Sequence, residues 1–222
     1  MREVAVAALL VVIGLAACSN GNAEPEGPWQ IVIVSDSFAL GEWPQLWADL
    51  IEQDVGIDVD LRNHYRDGFV DYDQVIAEPE VRADLESADI ILIPPEADHL
   101  RAAFCDLGDT VCLQQATEEY VVKWDALLDE VREINPDARL RSAITWAWIA
   151  PPERRGGLRS FMEAAAEVTR QHGGVVADVD PLLTGDDHTQ QPPTGWTDSM
   201  GHFTGPGASA VAEAFHALGY DD

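Results

Sequence analysis

Short, wholly apolar runs alternate along this chain with longer stretches whose apolar residues recur at helical spacing. That alternation is the strongest constraint on what the chain can fold into. "IVIV", Ile31 to Val34, runs into Ser35, and "IILI", Ile90 to Ile93, is apolar throughout. Such short runs bounded by polar turns read as strands buried on both faces. Ile57 to Leu61 alternates Ile, Val and Leu with Asp, Leu140 to Trp148 reads as a strand ending at Pro151-Pro152, and Val175 to Val179 reads as another. Between them, Trp43 to Asp54 carries Leu46, Trp47, Leu50 and Ile51 at helical spacing. Val121, Trp124, Leu128, Val131 and Ile134 form a second stripe, stopped by Asn135-Pro136. Leu158, Phe161, Met162, Ala165 and Val168 form a third, ended by Gly173 and Gly174. A last helix from about Pro206 puts Ala208, Val211, Phe215 and Leu218 on one face. Strands alternating with helices need crossover connections. The expected fold class is therefore α/β, a three-layer α/β/α sandwich with a central parallel sheet of about five strands and flavodoxin-like layering. On such sheets ligands bind beyond the carboxyl ends of the strands, near a topological switch point.

The first residues, "MREVAVAALLVVIGLAACSN", do not belong to that pattern. The apolar run from Val4 to Ala17 is 14 residues long, short of the roughly 20 a spanning helix needs. It fits the hydrophobic region of a secretory signal. Its end, Leu15-Ala16-Ala17-Cys18, resembles the lipobox of bacterial lipoproteins, in which the Cys becomes the lipidated first residue. An ordinary signal with small residues at its cleavage site is the alternative, and the Cys directly after the small residues favours the lipobox. The expected organisation is a lipoprotein signal peptide at 1–17, a Gly-, Asn-, Glu- and Pro-rich flexible tether at 18–28 and a single domain at 29–222. The implied location is outside the cytoplasm, on a membrane anchored through the lipid at Cys18, at the bacterial cell surface or in the periplasm. Cys105 and Cys112 are then a close pair, seven apart around a Gly-containing turn, and read as a disulfide clipping a loop.

The chain carries 40 acidic residues against 13 basic ones, a formal charge of −27, and Lys123 is its only lysine. That charge repels nucleic acid and favours a soluble monomer through self-repulsion. It also suggests a salty habitat.

Ser37 stands just beyond the carboxyl end of the first strand, where chemistry on this architecture would occur. A serine there is by itself an ordinary turn residue. Three further stretches change its meaning: "NHYRDG" from Asn63 to Gly68, "EADHL" from Glu96 to Leu100, and "DSMGHFTGPGASAVAEAF" before and through the last helix. With Asp36-Ser37 these resemble, in order and spacing, the blocks of the GDSL/SGNH hydrolase family, and the resemblance covers nearly all of the mature domain. It implies a serine esterase that forms an acyl-enzyme on Ser37, needs no cofactor or metal, and acts on acyl or acetyl esters of lipids or envelope glycans. The resemblance makes Ser37 the nucleophile and His202 the general base. It places the backbone N–H groups of Ser37 and Gly68 in the oxyanion hole, Asn63 and Gly68 having the family's spacing.

Two positions depart from the family pattern. Asp98 falls where the family has an oxyanion-donating Asn. A charged carboxylate only accepts hydrogen bonds, so Asp98 would have to be protonated to donate, as apolar burial permits. The family's acid stands three residues before the His, a position held here by Ser199. Asp198 could serve if Gly201 is an inserted residue; otherwise a backbone carbonyl would orient the imidazole. His64, His99, His172, His188 and His216 read as surface or structural residues. Gly185 to His188, "GDDH", reads as solvated carboxylates rather than a metal site. Trp146, Trp148 and Trp196 could line the cleft. The alternative function is a catalytically degenerate cell-surface binding module on the same fold. A flavodoxin-like carrier is disfavoured, because "SDSFALGEW" offers phosphate one Gly and two acids.

Overall fold

The computed structural model describes residues 27–68, 70–95, 109–145 and 150–220. Cys18, the signal peptide, nearly all of the tether, Asp98, His99, Cys105, Trp146 and Trp148 lie outside them.

Five strands form one sheet: β1 (Trp29–Ser35), β2 (Val59–Tyr65), β3 (Ile90–Leu92), β4 (Arg139–Ile144) and β5 (Val175–Asp178). Every neighbouring pair is parallel, and the spatial order is β2-β1-β3-β4-β5. The chain leaves β1 for β2 on one side and then crosses to β3 on the other. The switch point therefore lies at the carboxyl end of β1, where Ser37 follows.

The helices are α1 (Trp43–Val55), α2 (Tyr72–Ile76), α3 (Pro79–Ser87), α4 (Thr110–Ile134), α5 (Arg155–Gln171), α6 (Asp180–Thr184) and α7 (Pro206–His216). α1 packs on α7 along one face of the sheet, while α3, α4 and α5 pack together on the other. Central strands carry the continuous apolar runs because both their faces are covered; Ile31 to Val34 and Ile90 to Ile93 are fully buried. Between α1, α7 and the sheet lies an aromatic cluster in which the Trp43 ring stacks on Phe215 at 5.2 Å. Trp47 meets the same Phe215 ring at 5.2 Å. α4 starts at Asp109, whose carboxylate accepts from the N–H groups of Val111 and Cys112, satisfying donors the helix itself cannot.

All five strands differ from their sequence limits, β2 and β4 the most. β2 starts two residues later and ends four residues later, because pairing with β1 runs residue for residue from Trp29↔Val59 to Ser35↔Tyr65. β4 pairs only as far as Ile144. α2, α3 and α6 are additions: each is a short helix burying two or three side chains, too few to make a readable stripe. Among the described residues no helix is long and apolar enough to cross a membrane.

Candidate active site

The turn after β1 is held from several directions. Ser35 and Asp36 are buried, and Asp36 caps a single turn of 3-10 helix, Ser37–Ala39. Its Oδ1 accepts from the Phe38 N–H at 2.8 Å and from the Ser35 hydroxyl at 3.4 Å. From β2, the Asn63 amide donates to the Ala39 carbonyl at 2.9 Å, and the Arg66 N–H donates to the Ser35 carbonyl at 2.9 Å. From α1, the Trp43 indole donates to the Phe38 carbonyl at 2.7 Å. Ser37 itself is only half-buried. Its neighbours are thus fixed while it is left open to solvent.

His202 stands in the loop before α7. Its Nδ1 lies 3.0 Å from Asp198 Oδ2. The other oxygen, Asp198 Oδ1, accepts from the N–H groups of Met200 at 2.7 Å and His202 at 3.0 Å. A small bridge between Thr197 and Phe203 closes the loop beneath the pair. Gly201 takes φ +93° inside it, a conformation costly for any residue with a Cβ. That extra glycine lets an acid four residues before the histidine fold back onto the imidazole. The group that lies against Nδ1 is thus a carboxylate. Burial tends to raise the Asp198 pKa. The Met200 N–H, the His202 ring and the His202 N–H outweigh it, and the carboxyl sits below its ordinary range. With Nδ1 engaged, Nε2 is the nitrogen left to meet a nucleophile.

Two contacts bring the loop to the turn. The Phe38 and Phe203 rings, next in sequence to Ser37 and His202, meet edge to face with centroids 5.7 Å apart. Gly41 approaches the Phe203 carbonyl so closely that a Cβ there would lie 3.2 Å from the oxygen. The immediate neighbours of Ser37 and His202 are thus in contact at the switch point. Gly68 follows β2 with φ +80°, and among the described residues nothing lies within 4 Å of where a Cβ would stand. Asp98, the remaining expected oxyanion group, lies outside the described residues.

The other described histidines are paired. His64 meets Asp84 at 2.8 Å, and His172 meets Asp125 at 2.8 Å. His216 bonds the Tyr220 hydroxyl. Trp196 is half-buried and packs against the core. His188 is structural: its Nδ1 lies 2.9 Å from Asp180, whose side chain is fully buried at the start of α6, while Asp186 and Asp187 beside it are exposed. No local pattern in the sequence marks Asp180, because its carboxylate is buried by tertiary packing. Among the described residues no group of three or more His, Cys, Asp or Glu is placed to hold a metal ion.

A five-stranded parallel sheet of this order with helices on both faces is the α/β/α architecture of the SGNH hydrolase fold. Solved structures bear out that class at the level of fold. The lipase Lip_vut3 from a goat rumen metagenome superposes with a TM-score of 0.69 at 16% identity, covering 86% of this chain and 98% of its own. A protein described as a GDSL-like lipase, from Parabacteroides merdae, gives 0.66 at 14% identity, covering 88% and 97%. The acetylxylan esterase Axe2 of Geobacillus stearothermophilus gives 0.64 at 14% identity, covering 86% and 94%. No protein-family model and no curated protein matches the sequence. The chain has the SGNH hydrolase fold.

Proposed function

We propose that this protein is a serine ester hydrolase acting on acyl or acetyl esters of lipids or envelope glycans. The observation that carries the reading is the Asp198–His202 pair, held against the Ser37 turn through Phe203 and Phe38. A serine hydroxyl is a weak nucleophile until a base takes its proton. His202 Nε2 is the base, and Asp198 holds the Nδ1–H tautomer that leaves Nε2 able to accept. Ser37 Oγ attacks the ester carbonyl carbon, and His202 passes the proton to the departing alcohol. The oxyanion faces the N–H groups of Ser37 and Gly68, with a protonated Asp98 or a water as the third donor. Water, activated by the same imidazole, then releases the acid from Ser37. The substrate range is supported by the lipases and the acetylxylan esterase that share the fold.

The rest of the proposal concerns place. Lipidation at Cys18 anchors the domain to a membrane outside the cytoplasm, as a monomer on a flexible tether. A Cys105–Cys112 disulfide clips the loop before α4; the disulfide-bonded state of Cys112 supports it.

A fluorophosphonate probe tests the chemistry. The full-length wild type is expected to take one label, on Ser37 by peptide mass mapping, and Ser37→Ala to take none. An unlabelled wild type would overturn the hydrolase reading in favour of a binding module.

A further inference from the structure

The loop carrying Asp198 and His202 runs from the end of α6 at Thr184 to the start of α7 at Pro206 without a helix or a strand. Its first part is clasped by buried charge. Arg155, fully buried at the start of α5, donates through Nε to the Ala150 carbonyl at 3.0 Å. Its NH1 donates to the carbonyls of His188 at 3.0 Å and Gln190 at 2.5 Å. The Gln190 N–H donates to the Thr184 carbonyl at 2.9 Å. His188 takes φ +57°, and it is the one non-glycine with positive φ among the described residues. For a residue with a Cβ that conformation is costly, and surrounding contacts hold it.

Here the enforcing contact is the imidazole. His188 Nδ1 lies 2.9 Å from Asp180 Oδ2, which also accepts from Thr184 Oγ1 at 3.2 Å and Arg159 at 3.4 Å. Asp180 Oδ1 is buried and has no hydrogen-bond partner among the described residues, where the donors to this carboxylate gather at Oδ2.

A short segment connects the clasp to the site. Gln191 is followed by Pro192 and Pro193, whose fixed φ makes a stiff strut. The Pro193 carbonyl accepts from the Trp196 N–H at 3.0 Å, and the Trp196 carbonyl accepts from the Thr204 N–H at 2.9 Å. Thr197 and Phe203 then close the bridge around Asp198 and His202.

We infer that His188, clasped by Asp180 and Arg155, is a positioning residue for catalysis: it sets the root of the strut that aims His202 at Ser37. The inference rests on the ester hydrolase reading. It concerns transition-state geometry, because His188 acts through the loop and touches no reacting atom. Misplacing a catalytic group by about 1 Å costs on the order of 10²-fold in rate.

The test uses full-length protein carrying His188→Ala, His188→Gly or His188→Asn, each checked by thermal melt. Ala removes the anchor and keeps the strained φ. Gly removes both anchor and strain. Asn tolerates positive φ and offers Asp180 an amide donor. The readouts are the rate of fluorophosphonate labelling at Ser37, kcat and KM on a short acyl ester, and amide exchange over 191–205. Ala and Gly are expected to slow labelling and lower kcat by tenfold or more with KM within twofold, and to speed exchange. Asn should recover a substantial part. Ala and Gly variants that label at the wild-type rate, or a rise in KM at constant kcat, would overturn the positioning role and leave the hydrolase reading standing. A wild type that takes no label fails the hydrolase reading itself, and this inference with it.

Discussion

Asp198 presents one carboxylate oxygen to two backbone N–H groups and the other to the imidazole of His202. Its pKa is depressed, so the ionised form is favoured by the fold. The stabilisation it gives the loop is present above the unfolded carboxyl value of about 3.9 and is lost only as pH falls through the lower folded value. The acid limb of a rate–pH profile between pH 5 and 7 therefore does not report Asp198. Asp198→Asn separates its charge from its shape. The amide oxygen can keep accepting from the loop N–H groups, which turns the NH₂ toward Nδ1. That donor forces the imidazole proton onto Nε2, where it blocks attack by Ser37. A fall in kcat of roughly 10²–10⁴-fold is expected, with little change in melting temperature and no recovery at higher pH. Recovery at pH 8–9 would mean that Asp198 only tunes the titration of the site. Ser37 and His202 were legible as candidates because each sits in a local block; the contact of Asp198 with His202 was not, because Ser199 holds the position that the block's offset points to. His188 was not, since its partner Asp180 is buried by packing and Arg155 reaches it from another helix.

The elements were readable in proportion to how much of their burial is periodic. β1 and β3 are buried on both faces and announce themselves as unbroken apolar runs. β2 is an edge strand, and its limits come from hydrogen bonding to β1 rather than from its side chains. α3 buries only Val81 and Leu85, one turn apart, below what a pattern can reveal. The aromatic packing that links elements is legible only in three dimensions. Phe38 reaches Trp43 at 5.1 Å, Phe203 at 5.7 Å and Phe215 at 6.3 Å, joining the serine turn to α1, α7 and the histidine loop. Phe203 is almost fully buried, so Phe203→Ala should cost about 3–5 kcal/mol. In a domain of this size that lowers the melting temperature by roughly 6–20 °C. Because Phe203 ties the histidine to the serine turn, kcat should fall further than the loss of folded protein explains, while Phe203→Leu recovers most of it. A variant that melts early yet keeps wild-type kcat at low temperature would confine Phe203 to stability.

At the scale of the molecule, a formal charge of −27 on 222 residues sets a repulsion that no single ion pair offsets. Several bridges on the surface are exposed, as with Arg62–Asp60 and Arg66–Glu78, and such pairs contribute little each. The repulsion is visible locally. Asp73 is raised above its ordinary carboxyl value by desolvation first, then by the charges of Asp71 and Glu130. A carboxyl raised in the fold favours the folded state at pH below its unfolded value, and that advantage is lost as pH climbs through the raised one. Screening should do what protonation does. Between 0.1 M and 1 M salt the Debye length falls from about 10 Å to about 3 Å, inside the spacing of neighbouring surface carboxylates. The melting temperature at pH 7 is therefore expected to rise by several degrees from low-salt buffer to 1 M NaCl, and to rise in low salt as pH is lowered through the raised carboxyl values. Chloride rather than sulfate is the proper salt, since sulfate stabilises most folds by exclusion from their surfaces. The two treatments should not add: at 1 M NaCl the gain from acidification should shrink, because screening has already removed the repulsion that protonation relieves. A melting temperature indifferent to NaCl would mean that the acidic surface is not a burden on this fold, and the inference of a salty habitat would go with it.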